Sequence, residues 1–173
     1  MMTINYNGNI QVLVDAATKA NELLANNQFY DYIAQKQGFD LTMATGQQVA
    51  DSIKNCNANL TVFEFVKYFT RVLGYEDPND PNSVHINVAG NKLNRSLGSI
   101  VGTYIHESVH AADATDNNLS YPHNGNSSVG NENTAPYWIG NLAIQMVDEP
   151  GSAVNINDIA VVPHAPNDEM NEA

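Results

Sequence analysis

Ser96-Leu97-Gly98-Ser99-Ile100-Val101-Gly102-Thr103-Tyr104-Ile105-His106-Glu107-Ser108-Val109-His110-Ala111-Ala112-Asp113 is the stretch on which the reading of this chain turns. Leu97, Ile100, Val101, Tyr104, Ile105, Val109 and Ala112 recur at helical spacing, so the stretch reads as an amphipathic helix from Ser96 to about Asp113. Within it, His106-Glu107-Ser108-Val109-His110 has the form H-E-x-x-H. Residues four apart stand one turn above each other, so both imidazoles face one point and can bind one metal ion. Glu107 sits beside them without ligating, where it can hold a metal-bound water and take its proton. Four and eight residues before His106 on the same stripe are Gly102 and Gly98. Small residues there let another backbone pack close.

Outward from this helix, the elements alternate in kind. Ser83 to Ala89 alternates between turn residues and reads as a strand, ending seven residues before the helix opens. Gly74 to Asn82, with two prolines and three acids, reads as a loop. Leu60 to Phe69 is rich in β-branched and aromatic residues and reads as a strand, turning helical towards Val72. Thr45 to Gln48 has the form of a capping box opening a helix to about Asn55. Ile10 to Asn26 is helical by spacing, with Phe29 to Gln37 as a continuation that Gly38 stops. After the motif helix, Asp116 to Asn133 is a polar loop of a length that is usually functional. Thr134 then caps a last helix, with Pro136 in its first turn, running to about Val147. Trp138 and Ile139 read as core. The expected architecture is α+β: one small domain over residues 1–150, a short mixed sheet, and an acidic tail over 151–173.

The chain has 173 residues and a net charge of −12. All seven Lys and Arg lie at or before Arg95, and from Ser96 onward there are ten acids and no base. Such a surface repels phosphate backbones, so neither nucleic acid nor an anionic membrane is an expected partner. Charged residues are only 15%, and 25 asparagines fill much of the difference, which favours turns and short connections. No apolar run is long enough to span a bilayer. The N-terminus shows no basic-then-apolar leader, so the expectation is a cytoplasmic protein or one delivered by a non-classical route. Cys56, alone, cannot form an internal disulfide.

A catalytic zinc takes three protein ligands and keeps one open position. His106 and His110 are two. His123 is the leading third ligand, because Pro122 and Gly125 shape a turn that can present a neutral imidazole. Asp113 is on the ligand face but seven residues after His106, about 10.5 Å along the axis, which suits a partner orienting an imidazole N–H. His85 and His164 are not expected to ligate. Tyr137 is the candidate donor to a developing oxyanion and Tyr121 the second. For both, ordinary packing with a bonded hydroxyl is the competing reading.

On this motif and its setting, residues 83–147 resemble the zincin metallopeptidases, and Ala135-Pro136-Tyr137-Trp138-Ile139-Gly140 is similar to a helix start in small bacterial zincin-like proteins. The resemblance implies Zn²⁺ as cofactor, a peptide or protein as substrate, and an edge strand that borders the cleft; Ser83–Ala89 is the segment placed for that part. It implies, as an alternative third ligand, Glu132 of the Asn131-Glu132 pair, at the gluzincin spacing. Pro136 starts the following helix after Glu132, which departs from that pattern. The metzincin pattern would put glycine at position 113 and a ligand at Asp116, and the glycine is absent. The implied activity is peptide-bond hydrolysis by metal-activated water with Glu107 as general base. The alternatives are a metal-binding module of that fold that binds a protein partner without cleaving it, and an interaction domain in which the motif arose by chance.

Overall fold

In the computed structural model, which describes residues 1–69, 73–77, 79–125 and 127–159 (of Glu76 the backbone only), β1 is Thr3–Tyr6, α1 Gln11–Leu24, α2 Asn27–Gln35, α3 Gly46–Asn55 and β2 Asn59–Phe65. β3 Gly74–Asp77, β4 Asp80–Asn87, α4 Leu97–Thr115 and α5 Ala135–Asp148 complete it. The four strands form one mixed sheet in the order β1-β2-β4-β3, with β1, β2 and β4 parallel and β3 antiparallel to β4. The fold is therefore α+β. No helix among the described residues is long and apolar enough to cross a membrane.

Three strand expectations are corrected. Ser83–Ala89 is not the edge: β4 lies between β2 and β3, and the edge beside α4 is β3. β3 itself occupies the segment read as a loop. Its pairing is tertiary: Gly74 opposes Ile86 and Tyr75 opposes His85, while the Asn87 N–H donates to Leu73 O at 2.8 Å. The acids supply the turn, where the Asp77 side chain accepts the Asn79 N–H at 2.9 Å. β1 was not foreseen. Its four residues are too short to show a period, and its buried Met2 and Ile4 flank are anchored by Asn21, which brackets the Ile4 backbone N–H and C=O at 2.9 and 2.8 Å.

β2 ends at Phe65 rather than Phe69, and the continuation towards Val72 lies outside the described residues. α1 and α2 are separate helices, because Asn26 adopts an extended backbone and its side chain caps α2 by accepting the Gln28 N–H at 2.9 Å. The capping box of α3 is present, with Thr45 and Gln48 bonded in both directions.

One face of the sheet, with Ile4, Leu60, Val62, Val84 and Ile86, is buried under the helices. On the other face His85 is stacked between Phe63 and Tyr75, with ring centroids 5.4 and 4.5 Å away. α4 is buried nearly all round, and α5 packs on its glycine stripe. A Cβ on Gly102 would stand 2.9 Å from the Gly140 carbonyl and 2.5 Å from Ile144, and the Gly98 N–H donates to Asp148 at 2.9 Å. Thr134 stands at the N-cap of α5, but its hydroxyl donates back to Asn131 O instead of capping. Trp138 and Ile139 are buried. Of the tail, Val154, Ile156 and Ile159 pack partly buried against the core; residues 160–173, with His164, lie outside the described residues.

Candidate metal centre

α4 presents His106 and His110 on consecutive turns with their Nε2 atoms 3.2 Å apart. The loop after α4 returns His123, whose Nε2 lies 2.9 Å from that of His110. One nitrogen from each ring lies within 4.8 Å of the others, close enough for all three to bind one metal ion. Among the described residues no other group of three His, Cys, Asp or Glu side chains does this.

Two of the three imidazoles are held below the ordinary histidine range. Burial, reinforced by the neighbouring His123, pushes His110 down to about 3. Burial lowers His123 as well, against the opposing pull of the Gly125 carbonyl. A neutral ring has a lone pair to give a metal. His123 Nδ1 pairs with Gly125 O at 2.6 Å, which assigns its proton to Nδ1 and leaves Nε2 as the ligand atom. Gly125 sits at φ +58, a backbone region open to glycine without strain.

The loop is held by side chains that grip backbone. Asn131 is buried and bonds three ways: it accepts from Asn124 N–H at 2.9 Å and donates to Asn124 O and Ser127 O at 2.6 and 2.8 Å. Asp113 accepts the Tyr121 N–H at 2.9 Å. It thereby positions the loop, and the imidazole N–H of His123 goes to Gly125. Ser52 of α3 donates to Asp116 at 2.7 Å and pairs with the Tyr121 hydroxyl at 2.9 Å. Asp116 accepts the Asn118 and Leu119 N–H groups, a turn role and not a ligand role.

Glu132, the alternative third ligand, is not in the cluster. Its carboxylate accepts the Gly130 N–H at 2.9 Å, and backbone hydrogen bonds hold it below the usual carboxylate range. Tyr121 is fully buried with its hydroxyl on Ser52, so it is not the second oxyanion donor. Tyr137, at the start of α5, does reach the cluster: its ring centroid is 4.5 Å from that of His106 and 4.9 Å from that of His123, both edge-on. Glu107 is 7% exposed, beside His106 on α4.

The chain matches no protein-family model, no curated protein and no solved structure.

Sequence reasoning missed Asn131 and Ser52. Asn131 carries a signal, an Asn four residues before Ala135 in a polar loop. Ser52 had none, because it acts across 69 residues on Tyr121.

Proposed function

We propose that the protein is a zinc-dependent metallopeptidase of the zincin kind, in which His106, His110 and His123 hold the metal, Glu107 is the general base and Tyr137 a donor to the reacting carbonyl oxygen. The convergence of three histidine nitrogens carries this reading. Three imidazoles without a thiolate suit Zn²⁺, and three protein ligands leave a coordination position for water or substrate. Bound zinc would supply a Lewis acid and lower the pKa of its water towards ~7.

The chain's own groups supply the rest. Glu107 follows His106 directly on a buried helix and is itself buried. Its role is to accept a proton during attack and return it to the leaving amine. Tyr137 covers the rings of His106 and His123 from α5, and its role is to donate a hydrogen bond where charge develops.

The test uses the purified chain, its zinc content, and a peptide library at neutral pH with and without chelator. One zinc per chain is expected, with chelator-sensitive cleavage that falls at least ~10²-fold in Glu107→Gln while zinc is retained. Cleavage undiminished in Glu107→Gln refutes the mechanism. Stoichiometric zinc with no cleavage of any peptide favours the non-enzymatic, partner-binding module.

A further inference from the structure

The loop that carries His123 holds a dipeptide with chemistry of its own. Asn124 is exposed and is followed by Gly125, which sits at φ +58 with open space where a Cβ would stand. Asparagine is a thermolabile residue, because the backbone nitrogen of the next residue can attack its side-chain amide carbon. A side chain on that next residue hinders the approach, and glycine has none. The hydrogen bonds of Asn124 run through its backbone, to Asn131, and leave its side chain in solvent. Among the described residues the Gly125 N–H is in no hydrogen bond, so attack breaks none.

The chain contains the same dipeptide once more, as Asn7-Gly8, also exposed. There a Cβ on Gly8 would meet the Tyr6 hydroxyl and would stand 2.6 Å from the Glu64 carboxylate. A carboxylate so close disfavours the amide anion that must form before attack. Nothing stands within 4 Å of the corresponding point on Gly125. The two sites share a sequence and differ in surroundings, and the surroundings favour reaction at Asn124.

We infer that Asn124 is a self-modification site, whose deamidation through a cyclic imide rebuilds the His123 loop and lowers its affinity for metal. The effect on metal rests on the metal reading above; the modification does not. The Gly125 nitrogen gives up its proton and bonds to Asn124 Cγ. The Cγ–Nδ2 bond breaks, and that nitrogen takes up a proton and leaves as ammonia. Water then opens the imide at one of its two carbonyl carbons, giving isoaspartate or aspartate. One water is consumed and one ammonia released, with no oxidant or reductant. Isoaspartate routes the main chain through Cβ and Cγ, one carbon longer, about 1.5 Å. Contacts of the histidine loop lie across the altered bond: His123 Nδ1 with Gly125 O at 2.6 Å, and Asn131 with Asn124 N–H and O. A shift of that size carries Gly125 O past the ~3.2 Å reach of a ring N–H. His123 then loses the partner that orients its ring, which is worth ~10–100-fold in metal affinity. Aspartate keeps the original main chain and spares this bond.

The test incubates the purified full chain in warm, mildly alkaline buffer and samples it over time. Digestion and mass spectrometry locate each amide converted to acid, and labelling with an isoaspartate-specific methyltransferase distinguishes the two products. The isoaspartate fraction is separated by ion exchange, and its zinc affinity is measured by competition with a chelator. Conversion is expected at Asn124 ahead of Asn7, with a ~10–100-fold loss of zinc affinity in the isoaspartate fraction. Asn124→Gln, whose longer side chain closes the ring poorly, is expected to keep its affinity through the same incubation. Asn124→Asp, the other product made directly, is expected to bind zinc like the fresh chain. Asn124 intact at the end, or converted more slowly than Asn7, overturns the modification site. Isoaspartate at 124 with unchanged affinity overturns the link to His123, and so does an equal loss in Asn124→Asp, which would assign it to the added charge. A fresh chain that binds no zinc overturns the metal reading and with it the effect on affinity, while the mass map still decides the modification.

Discussion

The two halves of the histidine cluster are built on different principles. α4 delivers His106 and His110 by helix geometry alone: four residues make one turn, and a helix buried on nearly every side cannot rotate away. The loop over 116–133 delivers His123 with no repeating backbone pattern. It relies on separate side-chain grips, Asp113 on Tyr121, Ser52 on Asp116 and Tyr121, and Asn131 on Asn124 and Ser127. A helix carries its precision in backbone hydrogen bonds that any sequence can make, whereas this loop carries its precision in particular side chains. Changes in the helical half away from the histidines should therefore act through core packing and stability, and the loop half should be sensitive at positions that never touch the metal.

The comparison breaks most severely if a helical ligand is removed. His110→Ala takes away the ring whose Nε2 lies close to both others. Zinc binding is expected to fall beyond the ~10–100-fold typical of supporting residues, with the helical circular-dichroism signal retained. Stoichiometric zinc in this variant would dissolve the centre.

Asn131→Ala sharpens the contrast. It leaves all three histidines in place and removes the grip on Asn124 and Ser127. Zinc affinity, measured by competition with a chelator, is expected to drop ~10–100-fold, while Glu132→Ala changes it little. If Glu132→Ala proves the more damaging, the loop ligand has been misassigned.

Gly102→Ala tests the helical half away from its ligands. The new Cβ meets the Gly140 carbonyl and Ile144 at 2.9 and 2.5 Å, so α4 and α5 must separate. The gain in helix propensity, ~1 kcal/mol, offsets part of an overpacking cost of ~1–3 kcal/mol. A net loss of about 1 kcal/mol is expected in denaturant unfolding. A more stable protein would show that the helix pair is not limited by this contact.

The smallest effect concerns the loop's first grip. The Ser52 hydroxyl, followed by the Asn118 and Leu119 amides, holds Asp116 below its ordinary range. A depressed carboxylate contributes stability above the unfolded value of ~3.9, and that contribution is lost as pH falls through the folded value. Asp113 has the opposite sign, because burial raises it: its contribution is present at low pH and is lost as pH rises. Ser52→Ala is expected to reduce the fall in melting temperature between about pH 6 and about pH 3. An unchanged or steeper fall would remove Asp116 from the loop's support.

The sequence by itself determined the elements whose order is local. Residues Leu97–Thr115 show their period over five turns, Thr45 and Gln48 close their box within four residues, and two histidines four apart need nothing but the helix to meet. The turn around Pro122 and Gly125 was enough to bring His123 forward as the third histidine. Only the tertiary structure decided the rest. β3 is acidic and turn-rich and becomes a strand because β4 offers it a partner; β4 is thereby moved from the edge to the interior. Asp113 and Asp116 carry the composition of ligands but accept loop backbone N–H groups, which need a partner once they leave the helix. Local periodicity specifies which residues share a face, while the partner of a polar side chain depends on which distant backbone the fold brings within about 3 Å of it.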